Sequence, residues 1–426
     1  MTLIRNYNSL NKTPERKICL DLIEEALNSI QPQNIVQKNI SLQENILTIM
    51  DKKISLKEFD RIFLLGFGKG SAGLSKEIEK ILGNKLIEGY VIDLVPETFT
   101  KIKLSIGTHP LPSENNVVFT KMAIEKLSNL TERDLVIVVI TGGGSALFEI
   151  PYKINLDKLI EVDSALLLSG ATITEMNDVR KHLSLVKGGG LIKPLFPATI
   201  VSIIASDVPG NDLSVIASGP TVRDETTKEQ ALEVLKKYSL LDKLGLSSLD
   251  FLDTPKEDRY FKNAINILFV SNETALNAMK QKAQELGMNA VILSDRYQAE
   301  AVLAGKELID KTASNQIILA GGETTLKVLH KGGRGGRNQE LVLAALPYVG
   351  NNITIASFDS DGWDNSPFAG AIGDLLTVQK AQEINIHPEI FLEDNNSFSF
   401  FEKTGDGIIT DRLPSNVSDL IIVFKK

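Results

Sequence analysis

Short runs of consecutive apolar residues recur along the chain, separated by amphipathic stretches of helical period. The runs at 62–65, 135–140, 200–205, 265–270, 290–293, 317–320, 353–357 and 420–424 read as strands, most of them buried on both faces. Stretches at 71–82, 116–127, 156–168, 273–286, 299–313 and 338–346 read as helices between them. Ahead of the series, residues 13–30 place Ile18, Leu22, Ile23, Ala26 and Leu27 at helical spacing, and Pro32 ends the pattern. Strand and helix in alternation predict an α/β protein with a mostly parallel, doubly wound sheet, followed by a second α/β series. A chain of 426 residues exceeds what one hydrophobic core usually serves. The polar stretch at 250–261, with Pro255, sets a joint somewhere between 222 and 262, so the expected domains are 1–240 and 241–426. No internal repeat or low-complexity tract interrupts this plan.

Composition narrows the partners. A net charge of -8 argues against nucleic acid and membrane surfaces, which need a basic field. The single cysteine, Cys19, excludes a disulfide framework within the chain and fits a reducing compartment. The first residues lack the apolar core of a signal peptide, and no apolar run approaches the roughly 18–20 residues of a membrane span. The expectation is a cytoplasmic protein, monomer or homodimer, acting on small molecules.

Five glycine-bearing loops follow apolar runs and hold nearly all the residues capable of phosphate chemistry. Ligands of open parallel sheets bind outside the carboxyl ends of the strands, where glycine lets backbone N–H groups approach an anion. GFGKGSAG presents Lys69 from a strand-to-helix turn; it is neither an uninterrupted dinucleotide fingerprint nor a Walker A loop. TGGGSAL, with Gly142, Gly143, Gly144 and Ser145, reads as a phosphate nest or as a tight turn. NDVRKHLSLVKGGG clusters Arg180, Lys181, His182 and Lys187, an anion-binding group or a solvated helix face. SDVPGND offers Ser206 and Asp207 directly after a strand; Asp207 suits a catalytic base or metal ligand, while Asp212 suits either a site or a helix cap. GGETT and GRGGRNQE bring Glu323, Arg337, Asn338 and Glu340, and an arginine held by a glycine turn can stabilise a transferring phosphoryl group. Asp359 and Asp361 in FDSDGWDN are paired carboxylates with the character of magnesium ligands.

Taken in order, GFGKGSAG, THPLP (108–112), TGGGSAL, NDVRKHLSLVKGG, SDVPGND, ASGPT (217–221), GGETT, GRGGRNQE and the SDG turn resemble the type II glycerate kinases over most of the chain. The resemblance implies a Rossmann-like, doubly wound, mostly parallel sheet domain followed by a smaller, lid-like α/β domain with a mixed sheet. It also implies transfer of the ATP γ-phosphate to D-glycerate with magnesium, giving 2-phosphoglycerate, and catalytic importance for Lys69 and Arg337. Two segments depart from the family pattern. Its TDGxDG reads SDGWDN here, and its TGPTGTNV reads TDRLPSNV at 410–417. On this reading TGGGSAL, Glu323 and Asn338 hold the nucleotide, Arg180, Lys181 and Ser206 the glycerate, Asp359 and Asp361 the metal, and Asp207 acts on the 2-hydroxyl. Because the groups lie on both halves of the chain, a cleft that closes over substrate is expected. Other readings stay open: transfer to the 3-hydroxyl, a nicotinamide-dependent hydroxy-acid oxidoreductase with Asp93 as ribose partner, or a non-catalytic sensor of a small phosphorylated acid.

Overall fold

The computed structural model describes residues 2–328 and 332–426, which form two compact units built from interleaved segments. One comprises Val36–Ser206 and Asn211–Phe269; the other comprises Met1–Ile35, Asp207–Gly210 and Val270–Lys426. We call them the first and second units. Residues 241–269 thus pack with the first unit and the opening segment with the second, a nesting that hydrophobic periodicity does not encode.

In the first unit an antiparallel three-stranded ribbon, β1 (Ile40–Gln43), β2 (Ile46–Ile49) and β3 (Lys52–Ser55), precedes the main sheet. That sheet contains β4 (Arg61–Phe67), β5 (Leu86–Asp93), β6 (Ile102–Ile106), β7 (Asp134–Ile140), β8 (Thr199–Ala205) and β9 (Ala264–Val270), in the order β6-β5-β4-β7-β8-β9. The pairings from β6 through β8 are all parallel. Helices on the faces explain why β7 is apolar and buried along its whole length. The register from Arg61↔Asp134 to Phe67↔Ile140 ends β4 and β7 side by side, so GFGKGSAG and TGGGSAL emerge together at the carboxyl edge.

The second unit holds β10 (Asn289–Tyr297), β11 (Gln316–Gly322), β12 (Ile353–Asp359), β13 (Gly370–Gly373), β14 (Gly407–Ile408) and β15 (Asp419–Lys425), in the order β10-β11-β15-β12-β13-β14. Only β10 and β11 run parallel; the last strand of the chain inserts antiparallel between β11 and β12, which makes the sheet mixed. Its first residue, Asp419, lies opposite both Gly322 and Asp359. That register gathers the GGETT loop, the FDSDG turn and the start of β15.

The helix Pro14–Ser29 begins with Thr13 accepting a hydrogen bond from the Arg16 N–H and with proline in its first turn. Its apolar face, Cys19, Leu20, Leu22, Ile23, Ala26 and Leu27, is buried, and it packs on the helix Asn272–Glu285. Arg16 is also fully buried, donating to Asp374 at 2.7 Å through two nitrogens, to Asp406 at 2.6 Å and to Thr377 at 2.9 Å.

Candidate functional site

In the first unit the Lys69 N–H donates to the Gly142 carbonyl at 2.8 Å, clamping the first two glycine loops together. Gly143 has φ 76, and a Cβ there would lie 2.9 Å from His109 and 3.2 Å from the Lys69 side chain. The glycine therefore serves both a left-handed turn and a close approach. Lys69 is half-buried and forms no ion pair among the described residues. Behind the loop, Ser145 Oγ lies 2.8 Å from Ser218 Oγ, and Ser218 donates to Asn177 Oδ1 at 2.8 Å. Ala217 and Ser218 both adopt left-handed backbone, φ 50 and φ 60, conformations that non-glycine residues hold only where surrounding structure enforces them. The loop 188–190 supplies that enforcement: the Gly188 and Gly189 N–H groups donate to the Ser218 and Gly219 carbonyls at 2.9 and 2.8 Å.

The basic cluster is internally neutralised. Arg180 donates to Asp163 at 3.0 Å, and the buried Lys181 donates to Asp224 at 3.1 Å. His182 bridges the Leu252 carbonyl and the Thr226 hydroxyl, and Lys187 is buried against Glu149. Arg180 and Lys181, expected to meet the carboxylate of a substrate, each have a carboxylate of the protein beside them, which ties the helix Ile173–Lys181 in place. Their carboxylate partners stand 17 and 43 residues away along the chain, so no local pattern reveals the pairing. Asp93, the ribose partner of the oxidoreductase reading, caps the helix after Lys69, accepting from the N–H groups of Gly70, Ala72 and Leu94 at 3.2, 2.8 and 2.6 Å. Its carboxylate occupies the helix start that a dinucleotide pyrophosphate needs.

In the second unit Arg337 opens the helix Arg337–Ala345 and is surrounded by acids. It donates to Asp419 at 2.5 Å and to Glu323 at 2.7 Å, with Asp359 at 3.8 Å. Burial works against its charge, but Asp419, Glu323 and Asp359 outweigh that and raise its pKa further. The carboxylates feel the crowding: burial, then the charges of Asp419 and Asp361, push the pKa of Asp359 well above the usual range. Asp361 accepts from the Trp363 N–H, and its own N–H donates to Asp359. Asn338 donates to Asp419 at 2.8 Å, so one carboxylate fixes both Arg337 and its neighbour. Asp207 accepts from Asn416 at 3.3 Å.

Two acids of this site lie outside the candidate set read from the sequence. Asp419 has no signal beyond opening the last strand. Asp364 is buried and accepts from the Asn338 and Gln339 N–H groups at 3.2 and 2.9 Å and from the Gln339 side chain at 2.9 Å. It caps the helix that carries Arg337 from 25 residues further along the chain. Gly336 makes room for it, since a Cβ there would stand 2.1 Å from Asp364 Oδ1. His109, in THPLP, is the corresponding omission in the first unit.

Among the described residues no three carboxylate, imidazole or thiolate groups converge to hold a metal. The pair Asp359 and Asp361 still suits magnesium, which commonly takes one or two carboxylates and fills its octahedron with water and substrate phosphate.

Each departure from the family pattern puts a left-handed residue where that pattern has glycine: Asn365, at φ 49, and Asp411, at φ 62. Asparagine and aspartate tolerate that region better than other side-chain-bearing residues.

A family model described as a domain of unknown function (DUF4147) matches residues 18–253, and the MOFRL family matches 316–419. The glycerate 2-kinase of Pyrococcus horikoshii is 34% identical, over 96% of this chain and 96% of its own. The D-glycerate 2-kinase of Thermotoga maritima is 33% identical over 96% and 97%. The crystal structure of a glycerate kinase from Thermotoga maritima superposes with a TM-score of 0.85 at 31% identity, covering 96% of this chain and 99% of that one.

Proposed function

Because the chain belongs to the glycerate kinase family, we propose that it transfers the γ-phosphate of ATP to the 2-hydroxyl of D-glycerate, giving 2-phosphoglycerate and ADP. The observation that carries the mechanism is Arg337, held on a capped helix start in a cavity of about 520 Å3 that also presents Glu323, Asp359 and Asp364. Phosphoryl transfer asks little covalent chemistry of a protein; it needs positioned charge. In the step, the bond from γ-phosphorus to its bridging oxygen breaks as glycerate O2 bonds to phosphorus, and the electron pair stays on ADP. The O2 proton passes to a carboxylate, with Asp207 as our candidate.

Arg337 stabilises the charge on the equatorial oxygens, and the hydrogen bonds to Asp419 and Glu323 orient its fork. Asp359 and Asp361 are the residues that would hold magnesium, which supplies charge neutralisation on the phosphates. The nest of Gly142, Gly143, Gly144 and Ser145 is assigned to nucleotide phosphate, as are Glu323 and Asn338. Lys69 is assigned to the transferring group, as a compact point charge without a carboxylate of its own among the described residues. Ser206 is assigned to glycerate, as are Arg180 and Lys181, whose charges a substrate carboxylate would share with Asp163 and Asp224. Cytoplasmic location is retained as part of this reading; among the described residues no helix is long and apolar enough to cross a membrane.

Phosphorus NMR of the products from ATP, magnesium and D-glycerate, with L-glycerate as control, tests the proposal. The expected product is 2-phosphoglycerate. A 3-phosphoglycerate signal moves the reacting hydroxyl, and binding without any phosphorylated product favours the sensor.

A further inference from the structure

Trp363 is the only tryptophan of the chain, and it stands within the first departure from the family pattern. It lines the same cavity as Arg337, Glu323 and Asp359, and the residue is 37% exposed. The Arg412 guanidinium lies 4.2 Å from the ring centroid and covers one face. Arg412 belongs to the second departure, TDRLPSNV, so the two segments that differ from the pattern meet in this pair.

The backbone that carries the ring is also anchored. Its N–H donates to Asp361 at 2.9 Å, within a turn closed by the Asp361 N–H on Asp359 and by the Gly362 N–H on the Asp359 carbonyl. One short turn therefore carries the two carboxylates assigned to metal and, two residues after the second, the indole. The rest of the wall near these groups includes Gln298, Thr325 and Asn365, neutral side chains with both donors and acceptors. A cavity of about 520 Å3 is within the range of small-molecule sites and admits more than a triphosphate.

We infer that Trp363, backed by Arg412, is the stacking platform for the base of the nucleotide donor, with the phosphates directed toward Arg337 and Asp359. The physical reason is a match of surfaces: a planar π-system with one face occupied and held still offers the other to a planar heterocycle. The inference rests on the proposed kinase reading, which supplies the nucleotide.

The sole tryptophan makes the test direct. Emission is followed while the intact protein is titrated with ATP and, separately, with inorganic tripolyphosphate, which carries the charge without a base. The expected result is saturable quenching by ATP and little by tripolyphosphate, although tripolyphosphate competes with ATP for turnover. Trp363→Ala is expected to raise the KM for ATP about tenfold with kcat nearly kept, whereas Trp363→Phe stays within about threefold of the parent. Equal responses to both ligands, or turnover of ATP with no response, overturn the stacking and leave the kinase reading standing. Absence of both turnover and response overturns the two together.

Discussion

Arg337 is the residue on which charge balance turns. A guanidinium gripped by Asp419 and Glu323 is poorly placed to wander, and its fork geometry, not its charge alone, is what the acids orient. Arg337→Ala is expected to reduce kcat/KM by about a thousandfold or more, and Arg337→Lys to recover little of it; steady-state kinetics beside a melting curve separates this from unfolding. Lys69→Ala is expected to lower kcat strongly while leaving the melting temperature near that of the parent, because its ammonium forms no ion pair among the described residues. Both residues are legible in the sequence, since a lysine between glycines and an arginine behind GG announce themselves by spacing. Arg180 and Lys181 look equally available there, and only the fold reveals Asp163 and Asp224 beside them.

At the level of elements, the apolar runs locate eight of the twelve strands in the two large sheets and miss β5, β6, β13 and β14. Helix limits follow as closely, as with Ser71–Leu82 and Leu156–Leu168. The ribbon β1–β3 and the helices late in the second unit are not legible, being short and mixed in polarity. The position of β15 is also hidden, because pairing between distant strands is written in no local period. The capped helix Arg337–Ala345 gives a prediction with a sign. Burial raises the pKa of Asp364 to about 6, above its unfolded value. The folded state then keeps a proton that the unfolded state releases as pH rises from about 4 to about 6, so this group's contribution is full below that window and declines across it. The loss is about 3 kcal/mol. Asp364→Asn has no such titration; the stability of the parent minus that of the variant, from denaturant unfolding, is expected to fall over that window. A constant difference would show that Asp364 is ionised throughout.

Across the whole molecule, the second unit draws on both ends of the sequence, and Arg16 is the bond between them. Breaking a buried ion pair by removing one partner costs about 3–5 kcal/mol, because the other charge stays buried. Arg16→Met leaves Asp374 with only the Leu376 and Thr377 N–H groups, and Asp406 with the Thr377 hydroxyl and Lys12. It is expected to destabilise the second unit by that amount in denaturant unfolding. Hydrogen exchange on a chain lacking residues 1–35 is expected to show β4, β5 and β7 protected as before and β11, β12 and β15 exchanging faster. Uniform protection would mean that the opening helix is dispensable. The same arrangement constrains how the protein is made. On a ribosome adding about 5–20 residues per second, the guanidinium of Arg16 precedes its partner Asp374 by 358 residues, a wait of roughly 20–70 seconds. For that interval the first sheet can complete itself, whereas the opening helix carries an unpaired cation, and its apolar face stays bare until Asn272–Glu285 has been made.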